Sequence, residues 1–435
     1  LRALTSAWES AESRWRADPN LVAHPRYPAF RAALDPWCAA TVYRYITAPL
    51  SAVQPGAHHA RAELSAALKI APAFEKCLAF LLHLLATQGY GTITAEGISW
   101  TKPPADSLST AELRAQFPEF KGSSDLLEST AAQNAPHTDK RVYLQLLRKT
   151  IEAKLAATPD RPLRMLEVGI GDGLLAGELA PSLKGRGVEY VATDLSRAFV
   201  NKAKSKAEAA GLDFITFAVL DISRDPIAQG FAAGDFDVIV GLDVVHATPR
   251  LAITLGHLRA LLAPGGYLGI VEKVGREPWV DLVWGLAEGW WYFADTDLRP
   301  WSPLMPADRW EHVLADLDFA DVTVFPRDRE SRKLTDYALL LAQTDPTPTI
   351  DIAPWFQAVR WTDLAAPSAK EIHGKVINAA DGLERFIKDI THWGADGQPR
   401  VITLQSDGTP TQEMLTGAMG AAAREYPQLT FRHVV

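Results

Sequence analysis

Short apolar runs alternate with helix-length segments from residue 140 to about residue 343. After a predicted helix at residues 141–157, the runs read LRMLEVG, VEYVATD, DFITFAVLD, DFDVIVGLD, GYLGIVEK, DVTVFPR and DYALLLAQ. Strands separated by helices imply a mostly parallel sheet with both faces covered. The last two runs are close enough in the chain to pair antiparallel. The pattern therefore predicts an α/β fold, with a seven-stranded, doubly wound sheet that has a hairpin at one edge.

The preceding region has a different pattern. Residues 64–68 and 74–85 place apolar side chains at helical spacing, and the run TITAEGISW that follows contains two short β-like segments. A helix followed by a small hairpin predicts a winged-helix-like element. Residues 105–136 are polar and irregular, with a helix-like patch at 112–117, and we interpret them as a linker.

After residue 343, the Pro- and Thr-rich run TDPTPTIDIAPW indicates another linker. Beyond it we predict helices at 368–390 and 410–425 with the strand RVITLQSD between them. The predicted organisation is a helical subdomain (1–127), a core (128–345) and a structural segment (346–435). Both ends of the sequence look cut, so we expect a piece of a larger polypeptide.

Composition narrows the possible partners and location. The 435 residues carry a net charge of -8, which gives no basic footprint for nucleic acid. Cys38 and Cys77 have no metal-like spacing, so neither a disulfide framework nor a zinc site is expected. The sequence shows no signal peptide and no apolar run long enough for a bilayer. We therefore expect a cytoplasmic protein with no membrane partner.

The strongest local motif is EVGIGDG, which follows the first core strand and opens a helix. Gly169, Gly171 and Gly173 allow a sharp backbone turn and a close approach to a ligand, and the next helix adds N–H donors. Glu167 begins the motif and is included among the expected cofactor contacts. A glycine-rich turn alone leaves a nicotinamide, a flavin, S-adenosylmethionine or a simple tight turn open.

Two acidic residues favour one cofactor. Asp194 ends the second strand, where a carboxylate can accept the ribose hydroxyls, and Asp221 ends the third, where it can receive an adenine amino group. The spacing E-x-G-x-G-x-G is closer to class I methyltransferases than to nicotinamide enzymes. We therefore predict S-adenosylmethionine, with Leu242 as a further contact. The alternative is that both acids only cap the following helices.

His246 and Glu272 are the candidate catalytic residues. They follow the fourth and fifth strands, so they are expected at the same carboxyl edge of the sheet, where ligands of α/β proteins bind. A carboxylate that orients an imidazole makes a better general base. The alternatives are a packed or capping histidine and a solvated strand-end charge.

Several longer runs resemble one family: YVATDLSRAF, DVIVGLDVVHAT, LLAPGGYLGIVE and GLAEGWWYFADTDLRPWSPLMPADRWEHVL. Over about residues 128–343 they are similar to the C-methyltransferase domain of modular (type I) polyketide synthases. The resemblance implies a class I methyltransferase Rossmann-like fold with an N-terminal helical lid over the substrate chamber. The run GAMGAAAREYPQLTFRHVV, near the end of the sequence, resembles the region of such synthases where a structural ketoreductase-like segment begins, which implies that character for residues 346–435.

The resemblance further implies methylation of the α-carbon of a β-ketoacyl thioester in secondary metabolite biosynthesis. The substrate would be linked to the phosphopantetheine of an acyl carrier protein, with neighbouring synthase domains as partners. His246 and Glu272 match the family's catalytic pair, and no metal is implied. An O-methyltransferase and an inactive methyltransferase-like scaffold remain alternatives.

Aromatic residues are candidates for the substrate chamber. Trp290 and Trp291 lie in the GWW stretch, and Tyr143 lies on the helix before the first core strand. Core packing is an equally good interpretation of any one tryptophan. We expect Arg299 to pair with Asp295, four residues earlier.

Overall fold

The computed structural model describes residues 26–50, 53–104, 107–118 and 140–346, apart from 159, 276 and 333–334. It also describes the segments 374–378, 382–395, 400–405 and 429–434, and the single residues 13, 419 and 422. The chain divides into two compact units, Leu1–Ile350 and Asp351–Val435, which are described separately.

The N-terminal subdomain combines helices with a small antiparallel sheet. Its helices are α1 (Tyr27–Thr47), α2 (Arg61–Leu68), α3 (Glu75–Thr87) and α4 (Thr110–Gln116). Its strands are β1 (His58–Ala60), β2 (Gly91–Ile93) and β3 (Gly97–Trp100), in the order β1-β3-β2. The predicted hairpin is formed by β2 and β3, directly after α3.

The core of this subdomain also contains aromatic residues from much later in the chain. Side chains of α1, α3 and β3 pack with Trp291 and Phe293 in one hydrophobic cluster. The Phe80 and Trp291 rings are 5.8 Å apart, and Lys76 Nζ donates to the carbonyl oxygen of Trp291 at 3.0 Å. Residues 291–293 are therefore part of the subdomain's core.

The predicted seven-stranded sheet is confirmed, with the order β6-β5-β4-β7-β8-β10-β9. The strands are β4 (Leu163–Val168), β5 (Val188–Asp194), β6 (Ile215–Val219), β7 (Phe236–Leu242), β8 (Leu262–Lys273), β9 (Asp321–Phe325) and β10 (Tyr337–Gln343). The first five are parallel, while β10 pairs antiparallel with β8 and with β9. The edge hairpin therefore forms as predicted.

Helices cover both faces of this sheet. The helices in this part of the chain are α5 (Arg141–Ala156), α6 (Leu174–Leu183), α7 (Arg197–Ala209), α8 (Leu251–Leu261), α9 (Pro278–Trp284), α10 (Ala307–Ala315) and α11 (Arg329–Arg332). Residues of α5, α6 and α7 pack in the cluster on one face, and residues of α8 and α10 pack in the cluster on the other. Two covered faces explain why β7 and β10 are apolar along nearly their whole length.

The unit at the C-terminus contains a parallel sheet of β11 (Gly374–Asn378), β12 (Arg400–Gln405) and β13 (Leu429–Val434), in that order. Helix α12 (Gly382–Ala395) lies between β11 and β12 in the chain. The predicted helix at 368–390 is therefore wrong over 374–378, which is a strand. The helix predicted at 410–425 lies almost entirely outside the described residues.

None of the helices in the described part of the chain is both long enough and apolar enough to span a bilayer.

Candidate active site

The glycine-rich turn lies between the end of β4 and the start of α6. Gly169, Gly171 and Gly173 all have positive φ angles, of 69°, 50° and 80°, which L side chains rarely adopt. A Cβ on Gly169 would lie 2.3 Å from Cγ2 of Val244, so this turn is packed against the segment that follows β7. Among the described residues, and apart from its two chain neighbours, no heavy atom lies within 4 Å of the corresponding position on Gly171. The turn is therefore closed on one side and open on the other.

Asp194, at the end of β5, ties two turns together. Its Oδ2 accepts the Gly171 N–H at 3.0 Å, and its Oδ1 accepts the Ser196 N–H at 2.8 Å. The carboxylate thus lies beside the open side of the glycine turn, as a ribose-binding acid requires. It also fixes the start of the segment leading into α7, so the capping interpretation describes part of its role.

Asp221 follows β6, which neighbours β5 in the sheet. Its Oδ1 accepts the backbone N–H of Ser223 at 2.9 Å and the hydroxyl of Ser223 at 2.6 Å, while Arg224 Nε lies 3.2 Å from Oδ2. These local contacts are those of a turn-capping acid. Contact with an adenine amino group stays a prediction for this residue.

Glu167 has a different position from the other acids. It is almost fully buried, at 1% exposure, and its carboxylate accepts a hydrogen bond from the Tyr190 hydroxyl. Burial raises the pKa of Glu167 to about 8, although the Tyr190 hydroxyl and the Ala176 backbone oppose this. Glu167 therefore supports the glycine turn from within the core. Leu242, the last residue of β7, is partly buried.

His246 and Glu272 are brought together as predicted. Nδ1 of His246 lies 2.5 Å from Oε2 of Glu272, and both side chains are buried. Glu272 lies near the end of β8, and His246 lies in a short 3₁₀ turn, Val245–Ala247, that follows β7. Oε1 of Glu272 accepts the backbone N–H of Val245 at 2.7 Å and that of Val244 at 3.2 Å. One carboxylate therefore binds both the imidazole and the backbone turn.

The charges around His246 favour the protonated form of its imidazole. Burial alone lowers the pKa of His246, but the charge of Glu272 and its hydrogen bond raise it, as does Asp243, and the net shift is upward. Because Nδ1 faces Glu272, Nε2 is the ring nitrogen that remains for proton transfer.

Asp243 is a further charged residue at this site that the sequence analysis did not single out. It has a φ angle of 51°, which is unusual for a residue other than glycine. Its Oδ2 accepts hydrogen bonds from Lys140 Nζ at 2.6 Å and from the Tyr337 hydroxyl at 3.1 Å. Burial raises the pKa of Asp243, but Lys140 and His246 outweigh it and hold that pKa below its usual range.

Within the described residues, Asp243, His246 and Glu272 place one ligand-type atom each within 4.8 Å of one another. The four carboxylate oxygens already accept hydrogen bonds from lysine, tyrosine, histidine or backbone donors. The carboxylates of this cluster therefore act as hydrogen-bond acceptors for neighbouring protein groups.

The three predicted substrate-binding aromatics have different surroundings. The Trp290 ring lies edge-on to His246 with ring centroids 5.8 Å apart, and its Nε1 donates to Asp281 at 2.9 Å. Trp291 is buried in the core of the N-terminal subdomain, and its Nε1 donates to the Gly285 carbonyl at 2.8 Å. Tyr143 is buried against Phe325. Only Trp290 of the three has a ring contact with the His246–Glu272 pair among the described contacts.

Arg299 pairs with Asp295 as predicted, with Nε 2.6 Å from Oδ1. The sequence analysis did not anticipate its other contacts. Nη1 donates to the carbonyl oxygen of His246 at 2.7 Å, and Nη2 donates to those of Thr248 and Pro249 at 2.8 and 3.1 Å. The sequence gives no signal for contacts between a side chain and a distant backbone.

Comparisons with known proteins bear on this geometry. A family model described as a methyltransferase domain matches residues 166–268, which contain the glycine turn, both strand-end acids and His246. The chain is 41% identical over 165 residues to the highly reducing polyketide synthase lcsB of Purpureocillium lilacinum, covering 37% of this chain. It is 38% identical over 196 residues to the polyketide synthase ThaQ of Burkholderia thailandensis, covering 44% of this chain. The matched parts are only 6% and 9% of those two relatives.

Solved structures show the same fold. The CurJ carbon methyltransferase matches with a TM-score of 0.63 and 26% identity, over 79% of this chain and 98% of that one. The DszA carbon methyltransferase matches with a TM-score of 0.62 and 24% identity, over 76% and 96%. The chain therefore has the class I methyltransferase Rossmann-like fold, and its predicted resemblance to C-methyltransferase domains of polyketide synthases is confirmed.

Proposed function

We propose, from the premise that this chain carries a methyltransferase domain of the polyketide synthase type, that it methylates the α-carbon of a β-ketoacyl thioester. The thioester would be held on the phosphopantetheine of an acyl carrier protein. The observation that carries the proposal is the hydrogen bond between His246 and Glu272 at the carboxyl ends of β7 and β8. Neighbouring synthase domains are the expected partners, because both named relatives extend far beyond the matched segment.

The chemistry of the substrate fits an imidazole base. A carbon between a ketone and a thioester carbonyl is acidified by both, because the electron pair left by the proton is delocalised as an enolate. Nε2 of His246 would take this proton while Nδ1 remains bonded to Glu272. The carbon would then bond to the methyl group with that electron pair, and the bond between the methyl group and sulfur would break with its electron pair left on sulfur. A positioned base contributes about 10²–10⁴-fold in rate.

Glu272 and Asp243 would stabilise the imidazolium that results. Both carboxylates raise the pKa of His246, so both favour its charged form. Asp243 is itself held ionised by Lys140, so it would not take the proton from His246. The proton would remain on Nε2 until it is released to solvent.

When bound, S-adenosylmethionine supplies a methyl group on a sulfonium that is ready for attack by carbon. The residues present fit such a ligand, because the backbone at Gly171 faces open space beside the Asp194 carboxylate. Asp194 would bind the ribose hydroxyls and Asp221 the adenine amino group. Gly169 and Gly173 would shape the turn, with Glu167 beneath it and Leu242 alongside.

Trp290 and the N-terminal subdomain would limit the access of water to the reacting carbon. Trp290 shields one side of His246, and Trp291 anchors the same segment in the core of the subdomain. A closed site strengthens the electrostatic contacts of the pair. This arrangement supports the lid role that the resemblance implies for residues 1–127.

The test is to incubate the protein with S-adenosylmethionine and a β-ketoacyl acyl carrier protein. Mass spectrometry should show the gain of one methyl group, and proton NMR of the released acyl chain should place it on carbon. The His246→Ala variant should abolish transfer and retain cofactor binding by calorimetry. His312→Ala is the matched control, because His312 is exposed and contacts only the backbone of its own helix in the described hydrogen bonds.

Three outcomes contradict parts of the proposal. Full activity of His246→Ala would remove the proposed base. A methyl group on oxygen would favour the O-methyltransferase alternative. Failure of the wild-type protein to bind S-adenosylmethionine would favour an inactive scaffold.

A further inference from the structure

Arg299 is a fully buried cation beside the catalytic pair. Its exposed fraction is 0%, and it lies in the irregular segment between the GWW stretch and α10. A buried guanidinium is costly unless its N–H groups are bonded. Here they bond to Asp295 and to three carbonyl oxygens, of His246, Thr248 and Pro249. The guanidinium of Arg299 therefore binds three carbonyls within the short backbone stretch 246–249.

These contacts complement those of Glu272 at the other end of the same turn. Glu272 accepts the N–H groups of Val244 and Val245, which begin the 3₁₀ turn. Arg299 donates to carbonyls at and after its end. Terminal N–H and C=O groups of a short helical turn lack partners within it, so the two side chains supply them. His246 therefore lies on a turn that is fixed by a carboxylate before it and by a guanidinium after it.

Asp295 extends this attachment to the next helix. Its Oδ2 accepts the N–H of Leu251, the first residue of α8, at 2.8 Å, while Oδ1 binds Arg299. The backbone N–H of Ala294 also donates to the carbonyl of Pro249 at 2.7 Å. The stretch from His246 to Leu251 is thus attached along its length to residues 294–299.

We propose that Arg299 is a positioning residue for the His246–Glu272 pair, which fixes the imidazole through the backbone of the turn that carries it. The inference rests on the proposed role of His246 as the base. The positive charge of Arg299 also disfavours protonation of His246, whereas the negative charge of Glu272 favours it. A displacement of about 1 Å in a catalytic group can lower a rate by about 10²-fold.

The charged groups that face His246 are Glu272 on β8, Asp243 after β7, and Arg299. The two carboxylates favour the protonated imidazole, and the guanidinium disfavours it. Loss of the Arg299 charge should therefore raise the pKa of His246. Replacement by lysine should keep the charge effect and lose the three-way attachment to the backbone, because an ammonium lacks the planar fork.

The experiment compares Arg299→Gln and Arg299→Lys with a matched control, Arg332→Gln. Arg332 is a partly buried arginine whose side chain is 7% exposed, and it also has carboxylate and backbone carbonyl partners, but these are Asp308, Glu311 and Pro326. Steady-state kinetics with S-adenosylmethionine and the carrier-bound β-ketoacyl substrate give kcat and KM. Thermal unfolding gives stability. NMR of protein with ¹³C-labelled histidine gives the pKa of His246, whose signal is identified by its loss in His246→Ala.

We expect kcat to fall about 10²-fold in both Arg299 variants with little change in the KM for S-adenosylmethionine. The pKa of His246 should rise in Arg299→Gln and stay close to wild type in Arg299→Lys. Arg332→Gln should lower the melting temperature while kcat and the pKa of His246 stay unchanged. If Arg299→Gln fails to fold, the fall in kcat of Arg299→Lys relative to Arg332→Gln decides the question.

The inference is overturned if the Arg299 variants that fold keep kcat within about twofold of wild type. It is also overturned if Arg299→Gln leaves the pKa of His246 unchanged. The NMR titration does not depend on turnover. A wild-type protein with no methyl transfer would therefore contradict the proposed function while the effect of Arg299 on His246 is still measured.

Discussion

The carboxylate of Glu272 binds the imidazole of His246 through one oxygen and the backbone before that histidine through the other. The distance from Oε2 to Nδ1 is 2.5 Å, and Oε1 accepts the N–H groups of Val244 and Val245. The orientation of the ring and its pKa are therefore set by the same group. A substitution of Glu272 changes both properties at once, and the two effects can be separated by pH.

The first prediction concerns Glu272→Gln. Glutamine keeps the shape and loses the charge that raises the pKa of His246, so burial should dominate and that pKa should fall below its ordinary value of 6.5. A base must be unprotonated, so the acidic limb of kcat/KM against pH should lie above pH 6.5 in wild type and move to lower pH in the variant. The plateau rate should fall about 10–100-fold, because the imidazolium loses a charged hydrogen-bond partner worth about 1.5–3 kcal/mol.

The same shift predicts a stability effect with a defined sign. In wild type the folded-state pKa of His246 is raised, so its contribution to stability is fully present below the unfolded pKa. That contribution is lost as pH rises through the folded pKa. Glu272→Gln should flatten this part of the stability curve, and Glu208→Gln, on the exposed end of α7, is the control. An acidic limb that does not move in Glu272→Gln contradicts the proposed pairing.

The second prediction uses two glycines of the cofactor turn. Gly169→Ala adds a Cβ that would lie 2.3 Å from a methyl of Val244, and both Gly169 and Gly171 have positive φ. We expect Gly171→Ala to cost roughly 1–2 kcal/mol from backbone strain alone. Gly169→Ala should cost about 1–3 kcal/mol more, because the core is overpacked. Urea unfolding of both variants measures the difference.

The double variant Gly169→Ala with Val244→Ala separates these two causes. It should recover the part of the overpacking cost that comes from the Val244 methyls and retain the strain, because the Val244 Cβ, 2.7 Å from the added atom, stays in place. Equal stabilities of Gly169→Ala and Gly171→Ala would show that the contact with Val244 has no energetic role.

The third prediction concerns Asp194 and the binding of S-adenosylmethionine. Asp194→Ala removes the acceptor of the Gly171 N–H as well as the expected partner of the ribose. Hydrogen bonds to charged groups contribute about 1.5–3 kcal/mol, so we expect a Kd raised roughly 10–100-fold by calorimetry. Asp225→Ala is the control, because Asp225 caps only its own turn in the described contacts. An unchanged Kd in Asp194→Ala would leave only the capping role.

The fourth prediction concerns Glu167, which is buried beneath the turn. Burial raises its pKa to about 8, so the folded state holds its proton at neutral pH. Its contribution to stability is fully present below the unfolded pKa, near 4.5, and is lost as pH rises through about 8. Glu167→Gln should therefore have a melting temperature near wild type at pH 5 and a higher one at pH 9. A parallel decline of both proteins with pH would contradict this.

Strand positions in the core were predictable because a doubly covered parallel sheet produces almost continuous apolar runs. The carboxyl ends of parallel strands meet at one edge, which is why residues as far apart as His246 and Glu272 could be paired from the sequence. The segment 374–378 was predicted as helix and is a strand, because a short apolar run next to a real helix has no distinctive period. His58 and His59 form β1 without any local strand pattern, because the partner strand β3 lies almost forty residues later.

The contacts that single side chains make with distant backbone or with distant side chains outside a motif were not predictable. Arg299 reaches the carbonyl of a residue 53 positions earlier, and any residue type offers the same carbonyl. Lys140 reaches Asp243 across 103 positions, with no motif to mark the pair. Trp290 and Trp291 are adjacent in the sequence, yet one ring contacts His246 and the other lies in the N-terminal subdomain.

The position of Trp291 and Phe293 has a consequence for recombining this chain with its relatives. A chimera cut near residue 127 would transplant the N-terminal helices without two aromatic rings that fill their interior. Such a hybrid would place foreign aromatics opposite native leucines, and a mismatched interior is destabilising even when each parent is well packed. An exchange that carries residues 279–293 together with the N-terminal helices would transfer an intact interior.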